Sequence, residues 1–294
     1  MVKVSVAHEG AVCLNGRFLR PDEATISPFD FGFLYGDGLF ETLRTYGGRP
    51  FRLNAHLARL AAGLDALAIR GAPSSDVLRG WVLETIARAE IPDAYVRITV
   101  TRGMGIAGLD PAGCGAPTVF IVALPLRGGP PSSNAGVKAI FLWPRHPEDH
   151  PRPTLKSTSY QRSVLARAQL TREGAREGFF FDHDRHVTEG SVSNIFAVRG
   201  GILWTPPADS CLPGITRAEV LELARAEGLP TREEELNRHF ILSVEELFIT
   251  SSLMELLPVV RVGDATIGAG VPGPWTQRLL QRYREQTLLP DRAP

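Results

Sequence analysis

Leucines at 57, 60, 64 and 67 recur at helical spacing, and they predict an amphipathic helix capped by Asn54. Ahead of it, AVCLNGRFLR (11–20) sets an Asn-Gly pair between short apolar runs and predicts a β-hairpin. A second helix is predicted over about 75–90. Two strands follow, AYVRITVTR (94–102) and PTVFIVALPL (117–126), rich in β-branched residues. RGGPPSSNAG (127–136) has no periodicity and is dominated by Gly, Pro and Ser, so it reads as a linker.

Beyond the linker the pattern resumes with a strand, GVKAIFLW (136–143). A helix is expected to start just after Lys156 and run to about Arg172. A strand-rich block covers 179–206, with hairpin signals at His183-Asp184 and Gly200-Gly201. A helix from Thr216 to about Glu227, the strand ELFITS (246–251) and a C-terminal helix near 275–287 complete the chain. Strands and helices mix on both sides of the linker, which indicates two α/β domains. The expected boundaries are 1–126 for a small N-terminal domain, 127–136 for the linker and 137–294 for a larger C-terminal domain.

Composition narrows the function classes. The chain has 294 residues, ordinary apolar content and a formal net charge of zero, so bulk charge offers no case for nucleic acid or an anionic membrane. Cys13, Cys114 and Cys211 lie far apart without ligand spacing, and the N-terminus has no apolar leader. A soluble, cytoplasmic protein is expected.

Three motifs suggest chemistry that their context does not support. GMGIAG (103–108) matches GxGxxG, but LDPAGCGAPT follows it and is too rich in Pro and Gly to open the helix a nucleotide site needs. His146 to His150 and Asp182 to His186 hold metal-ligand residue types, yet solvated loops account for both and no metal is expected. Neither GxSxG nor a catalytic-cysteine signature occurs.

The cationic residues carry more information. Lys and Arg total 32, but lysine occurs only at 3, 138 and 156, leaving 29 arginines (32 − 3). A lysine amine can lose its proton and add to a carbonyl, which a guanidinium cannot do. Lys156, in PTLKSTSY after a Pro-containing turn, is the candidate for such a step. Other stretches offer what a phosphate-bearing carbonyl cofactor needs. LPGITRAEV turns through Pro-Gly into a helix at Ile215 and Thr216, where backbone N–H groups favour an anion. TSS (250–252) offers hydroxyls, and Arg59 stands off the leucine face of its helix, able to reach an anion. Glu189 in VTEGSVSN could keep a pyridine nitrogen protonated, or could be an ordinary turn acid.

Taken together, FGFLYGDGLFETLR, AHLARL, LKSTSY…LARA, VTEGSVSNIF, LPGITR and ITSSLMELLPV resemble the class IV (fold-type IV) pyridoxal-phosphate family. That family includes branched-chain aminotransferases, D-amino acid aminotransferases and aminodeoxychorismate lyases. The resemblance runs from about residue 14 to 287. It implies two α/β domains with pyridoxal 5'-phosphate between them, in a homodimer. It also implies that Lys156 forms the Schiff base and shuttles the α-proton, and that Glu189 pairs with the pyridine nitrogen. Arg59, Ile215, Thr216, Ser251 and Ser252 would hold the phosphate, with Tyr160 as a cofactor-side aromatic.

The branch is read from the substrate side. Where D-specific enzymes carry an Arg-x-His carboxylate trap, this chain has Ala107 and Leu109, and Phe40 stands where those enzymes have Tyr. An anion site without its charge forfeits on the order of 2–5 kcal/mol. Tyr95 and Arg97 match the branched-chain pattern, and Met104, Ile106 and Leu109 are expected to line an apolar pocket. GDGLFETLR and ITSSLMELLPV look more like the D-specific or lyase branches. The favoured expectation is a ping-pong aminotransferase acting on apolar amino acids or related amines with a 2-oxo acid. A lyase releasing pyruvate, or a D-amino acid aminotransferase, is the alternative.

Overall fold

The computed structural model describes residues 9–106, 108–126, 135–142 and 155–289. These form two compact units, the first taking residues up to 126 together with Leu155–Ser159, the second taking the rest from 135 onward. Most of the expected linker lies outside the described residues.

The first unit runs β1 (Ala11–Leu14), β2 (Arg17–Leu19), α1 (Phe31–Tyr35), β3 (Gly38–Tyr46), β4 (Arg49–Pro50), α2 (Leu53–Ala66), α3 (Ser75–Ala89), β5 (Ala94–Thr101) and β6 (Thr118–Pro125). Its strands make one antiparallel sheet in the order β2-β1-β6-β5-β3-β4. The hairpin expected at Asn15-Gly16 forms, with both residues at positive φ (52° and 81°), as a tight primed turn requires. Helices α2 and α3 cover one face through Leu57, Leu60, Leu64, Leu78, Val82 and Ile86, which pack on Leu39, Leu43, Val96, Ile98 and Ile121. Alternation along β5 fits this, since Val96, Ile98 and Val100 are buried while Tyr95, Arg97 and Thr99 are half-buried. The cap of α2 is Arg52, at φ 56°, and not Asn54; the helix ends before Leu67.

The largest departure from the sequence reading is β3 itself, the nine-residue strand between β4 and β5. It carries Glu41 and Arg44 among buried residues and so shows no clean alternation.

The second unit holds β7 (Val137–Leu142), α4 (Gln161–Arg172), β8 (Glu177–Phe181), β9 (His186–Gly190), β10 (Asn194–Arg199), β11 (Ile202–Thr205), α5 (Ile215–Ala226), β12 (Thr231–Glu233), β13 (Leu236–Asn237), α6 (Arg238–Leu242), β14 (Glu246–Ser251), β15 (Glu255–Val262), β16 (Ala265–Thr266) and α7 (Pro274–Thr287). Its sheet is mixed, in the order β12-β11-β10-β14-β15-β7-β8-β9-β13, with β16 beside β15. Phe179, Ile195, Ile249, Leu257 and Val259 are at or below 1% exposure in its core.

Candidate active site

Lys156 does not open a helix. It lies in an extended segment along the edge of β3, where its carbonyl accepts the amide proton of Phe40 at 2.9 Å and Thr158 N–H donates to Gly38 at 2.8 Å. The Ser and Thr hydroxyls reinforce this placement. Thr158 Oγ1 donates to the Gly36 carbonyl at 2.6 Å and Ser159 Oγ to the same oxygen at 3.2 Å. Such side-chain bonds compete with helix, and α4 begins only at Gln161, with Tyr160 at its cap position.

Lys156 is half-buried as a residue, and its amine stands 4.6 Å from the centroid of the Phe40 ring. The Arg97 guanidinium carbon is 3.7 Å from the same centroid, and Arg97 Nε donates to Thr99 Oγ1 at 3.1 Å. The register pairs Phe40 with Thr99, Thr42 with Arg97 and Arg44 with Tyr95, so Phe40, Tyr95 and Arg97 share the sheet face away from the helices. Three residues singled out from the sequence, Phe40, Arg97 and Lys156, are thereby brought together. Lys138 serves differently: its amine donates to the Glu173 carbonyl at the end of α4.

Arg59 does reach an anion, but in this structure it is the Glu41 carboxylate. Nε lies 2.8 Å from Oε1 and Nη2 lies 2.7 Å from Oε2, while His56 Nδ1 meets Oε2 at 2.7 Å. Burial pushes the Glu41 carboxyl upward, yet the hydrogen bonds and charges of Arg59 and His56 outweigh it and bring the pKa to about 2. Burial also lowers the His56 pKa, against the pull of Glu41. Glu41 and His56 are absent from the residues that the sequence singles out. A His three residues before an Arg on a helix, sharing a side, was the available signal.

Met104, Ile106 and Leu109, expected to line an apolar pocket, lie in the loop after β5. Met104, Ile106 and Leu109 are 57%, 80% and 80% exposed. Gly103 and Gly108 take positive φ in this stretch. Ala107 lies outside the described residues, as do His146 to His150. At the β8–β9 turn, Asp182 Oδ1 accepts from the amides of Asp184 and His186.

In the second unit, Glu189 sits in β9 and its Oε2 accepts from Leu212 N–H at 3.0 Å. Asn194 Nδ2 donates to the Leu212 carbonyl at 2.8 Å, so two side chains clasp one residue of the LPGITR turn. A Cβ on Gly214 would fall 2.0 Å from Asn194 Oδ1, which explains the glycine. Helix α5 then starts at Ile215 without a side-chain cap and packs against β14. At the end of β14, Ser251 Oγ accepts from Met254 N–H at 3.3 Å. The Thr250 hydroxyl is buried without a hydrogen-bond partner among the described residues.

Comparison with known proteins gives a consistent picture. The family model described as amino-transferase class IV matches residues 38–262. A Methanocaldococcus jannaschii protein, provisionally named branched-chain-amino-acid aminotransferase, is 40% identical over 93% of this chain and 95% of its own. The aminodeoxychorismate lyase of Bacillus subtilis is 30% identical over 94% of each. Among solved structures, the branched-chain amino acid aminotransferase of Thermobaculum terrenum, in its pyridoxal-phosphate (holo) form, superimposes with a TM-score of 0.86. It is 25% identical and covers 95% of this chain and 94% of that one.

Proposed function

The chain belongs to the class IV aminotransferases, and we propose that it moves an amino group between an apolar, branched-chain-like amino acid or related amine and a 2-oxo acid, with pyridoxal 5'-phosphate as cofactor. The observation that carries this reading is Lys156, held by backbone bonds to β3 with its amine beside the Phe40 ring that Arg97 also faces.

The residues present fit the cofactor. A buried Thr250 hydroxyl without a partner among the described residues and the uncapped start of α5 are both suited to phosphate oxygens. Ile215, Thr216, Ser251, Ser252 and Arg59 would hold the phosphate, Glu189 the pyridine nitrogen, and Tyr160 the ring's side. When bound, the cofactor supplies an aldehyde that condenses with a primary amine and an electron-poor ring that takes up the electrons of a breaking Cα–H bond. Lys156 Nζ would be the amine that holds the resting cofactor. Displaced by the substrate's amine, it would take the proton from Cα and return it. Glu189, already oriented by Leu212 N–H, would keep the ring nitrogen protonated. Phe40, Tyr95 and Arg97 would form the substrate wall, Phe40 giving apolar surface and Arg97 a charge for a carboxylate. Ala107 and Leu109 would leave the neighbouring loop without an acid-binding pair.

A homodimer working in the cytoplasm fits the family resemblance and the three free cysteines. Aminodeoxychorismate lyase is the second reading, favoured by the B. subtilis relative; a D-amino acid aminotransferase is a third. L-leucine, D-alanine and an (R)-amine, each with and without 2-oxoglutarate, separate them. L-leucine is expected to turn over only with 2-oxoglutarate. If no donor reacts while aminodeoxychorismate yields pyruvate, the lyase reading replaces this one.

A further inference from the structure

In the second unit, the turn that joins β9 to β10 is built around one buried carboxylate. Glu177, on β8 and 1% exposed, accepts through Oε1 from Gly178 N–H at 2.8 Å and from both the amide and the hydroxyl of Ser191. Through Oε2 it accepts from Ser193 Oγ at 2.7 Å, and Gly190 N–H closes the turn on the Ser193 carbonyl at 2.7 Å. A carboxylate taken out of water needs such donors, and in return it fixes the groups that supply them. The chain thus enters β10 from a rigid seat, and the first residue of that strand is Asn194.

Asn194, 6% exposed, stands at the junction of two stretches of the same unit. Its Nδ2 donates to the Leu212 carbonyl at 2.8 Å, and its Oδ1 fills the space that a Cβ on Gly214 would take, one residue before α5 begins. Across the sheet Asn194 pairs directly with Thr250 of β14. Directly opposed residues carry their side chains on one face of the sheet, with Cβ atoms about 4.5–5.5 Å apart. The Thr250 hydroxyl, buried and without a hydrogen-bond partner among the described residues, therefore lies on the face from which Asn194 holds the LPGITR turn.

We propose that Asn194, seated by Glu177, is a positioning residue that sets the start of α5 against the Thr250 hydroxyl, so that this hydroxyl and the Ile215 and Thr216 amides converge on the phosphate of the cofactor. This rests on the assignment of those residues to the phosphate made above. An asparagine suits the task, because its amide both donates and accepts and brings no charge to repel the anion. Every group in this relay belongs to one unit, and α5 packs on β14 itself.

The test is the affinity of the full-length apoprotein for pyridoxal 5'-phosphate relative to pyridoxal, by spectroscopic titration. The ratio isolates the phosphate, and a general loss of stability cancels from it. In Asn194→Ala the preference for the phosphorylated form is expected to fall about tenfold, as for one charge-assisted contact losing its alignment. Ser193→Ala, which takes one donor from Glu177 and keeps the Asn194 side chain, is expected to lower it roughly threefold. Neither change alters charge, so a fall reports on geometry. An unchanged ratio in Asn194→Ala overturns the proposal and leaves that side chain a packing role; an unchanged ratio in Ser193→Ala alone overturns the part given to Glu177. Should Asn194→Ala fail to fold, Asn194→Ser keeps a polar group too short to reach the Leu212 carbonyl, and the same fall or its absence decides. Thr250→Val separates the proposal from the assignment beneath it. A fall there with none in Asn194→Ala sinks the positioning role alone. An unchanged ratio in Thr250→Val takes the hydroxyl away from the phosphate, and the positioning role falls with that assignment.

Discussion

The carbonyl oxygen of Lys156 accepts the amide proton of Phe40 at 2.9 Å, and the lysine's own amine stands 4.6 Å from that residue's ring. One residue thus supplies both the backbone anchor and the aromatic wall for the candidate nucleophile. The lysine is set by sheet pairing.

Replacing the amine is expected to abolish the reaction without unfolding the protein. Lys156→Ala should lose turnover by roughly a thousandfold or more, the scale of a lost acid–base group. Borohydride reduction followed by mass spectrometry should find the cofactor attached at residue 156 in the parent protein and nowhere in the variant. Attachment at Lys138 would remove Lys156 from its role.

Phe40 is 4% exposed, so its truncation has a stability consequence as well. Phe40→Ala is expected to cost about 3–5 kcal/mol by denaturant unfolding. Phe40→Leu should cost far less, and its turnover then reports on the wall beside Lys156 without the confounding loss of fold.

The buried Glu41–His56 pair makes the protein acid-sensitive in two stages. His56 has a folded pKa below its ordinary 6.5, so the unfolded chain takes up a proton that the native state refuses. Stability should therefore begin to fall as pH drops below 6.5, and His56→Gln should flatten that limb. Glu41 has its pKa lowered from 4.5 to about 2. Its contribution, on the order of 3 kcal/mol, is present above 4.5 and is lost as pH falls from there towards 2. Urea midpoints measured at pH 7, 5.5 and 4 would show both stages.

Thr250→Val tests the second unit. The hydroxyl is buried and unpaired among the described residues, so an isosteric apolar side chain should leave the apoprotein as stable or about 1 kcal/mol more stable. If the hydroxyl serves the phosphate, the same change weakens cofactor binding. Equal affinity in both forms, measured by titration, would assign Thr250 a packing role only.

Gly214→Ala should strain the clasp around Leu212. The new methyl would lie 2.0 Å from Asn194 Oδ1, and Asn194 is the residue holding the Leu212 carbonyl. A loss of about 1–3 kcal/mol in stability is expected. Cofactor affinity should fall with it, since Glu189 is bonded to that same residue.

Much of this arrangement was legible in the sequence, and the exceptions have physical causes. The leucine spacing of α2, the Asn-Gly hairpin, and strands β5, β6, β7 and β14 follow local rules of periodicity and turn chemistry. The arginine bias draws attention to Lys156 without any structure. Strand β3 escapes because it buries both faces and places Glu41 and Arg44 within an apolar run, which erases the period of two. The conformation of Lys156 escapes because its partner on β3 is over a hundred positions away; Thr158 and Gly38 are separated by 120. Arg59 stands visibly off the leucine face, but its carboxylate partner is on another element.

The grouping of Leu155–Ser159 with the first unit has a consequence for how the molecule can be made. A fragment ending at residue 126 lacks the segment that pairs with β3 at Gly38–Phe40, and leaves those backbone groups raw. During synthesis a further 28 residues (154 − 126) must be added before the first residue of that segment is joined to the chain. The amino-terminal half is therefore not a module to be excised, and a truncated product should be expected in inclusion bodies.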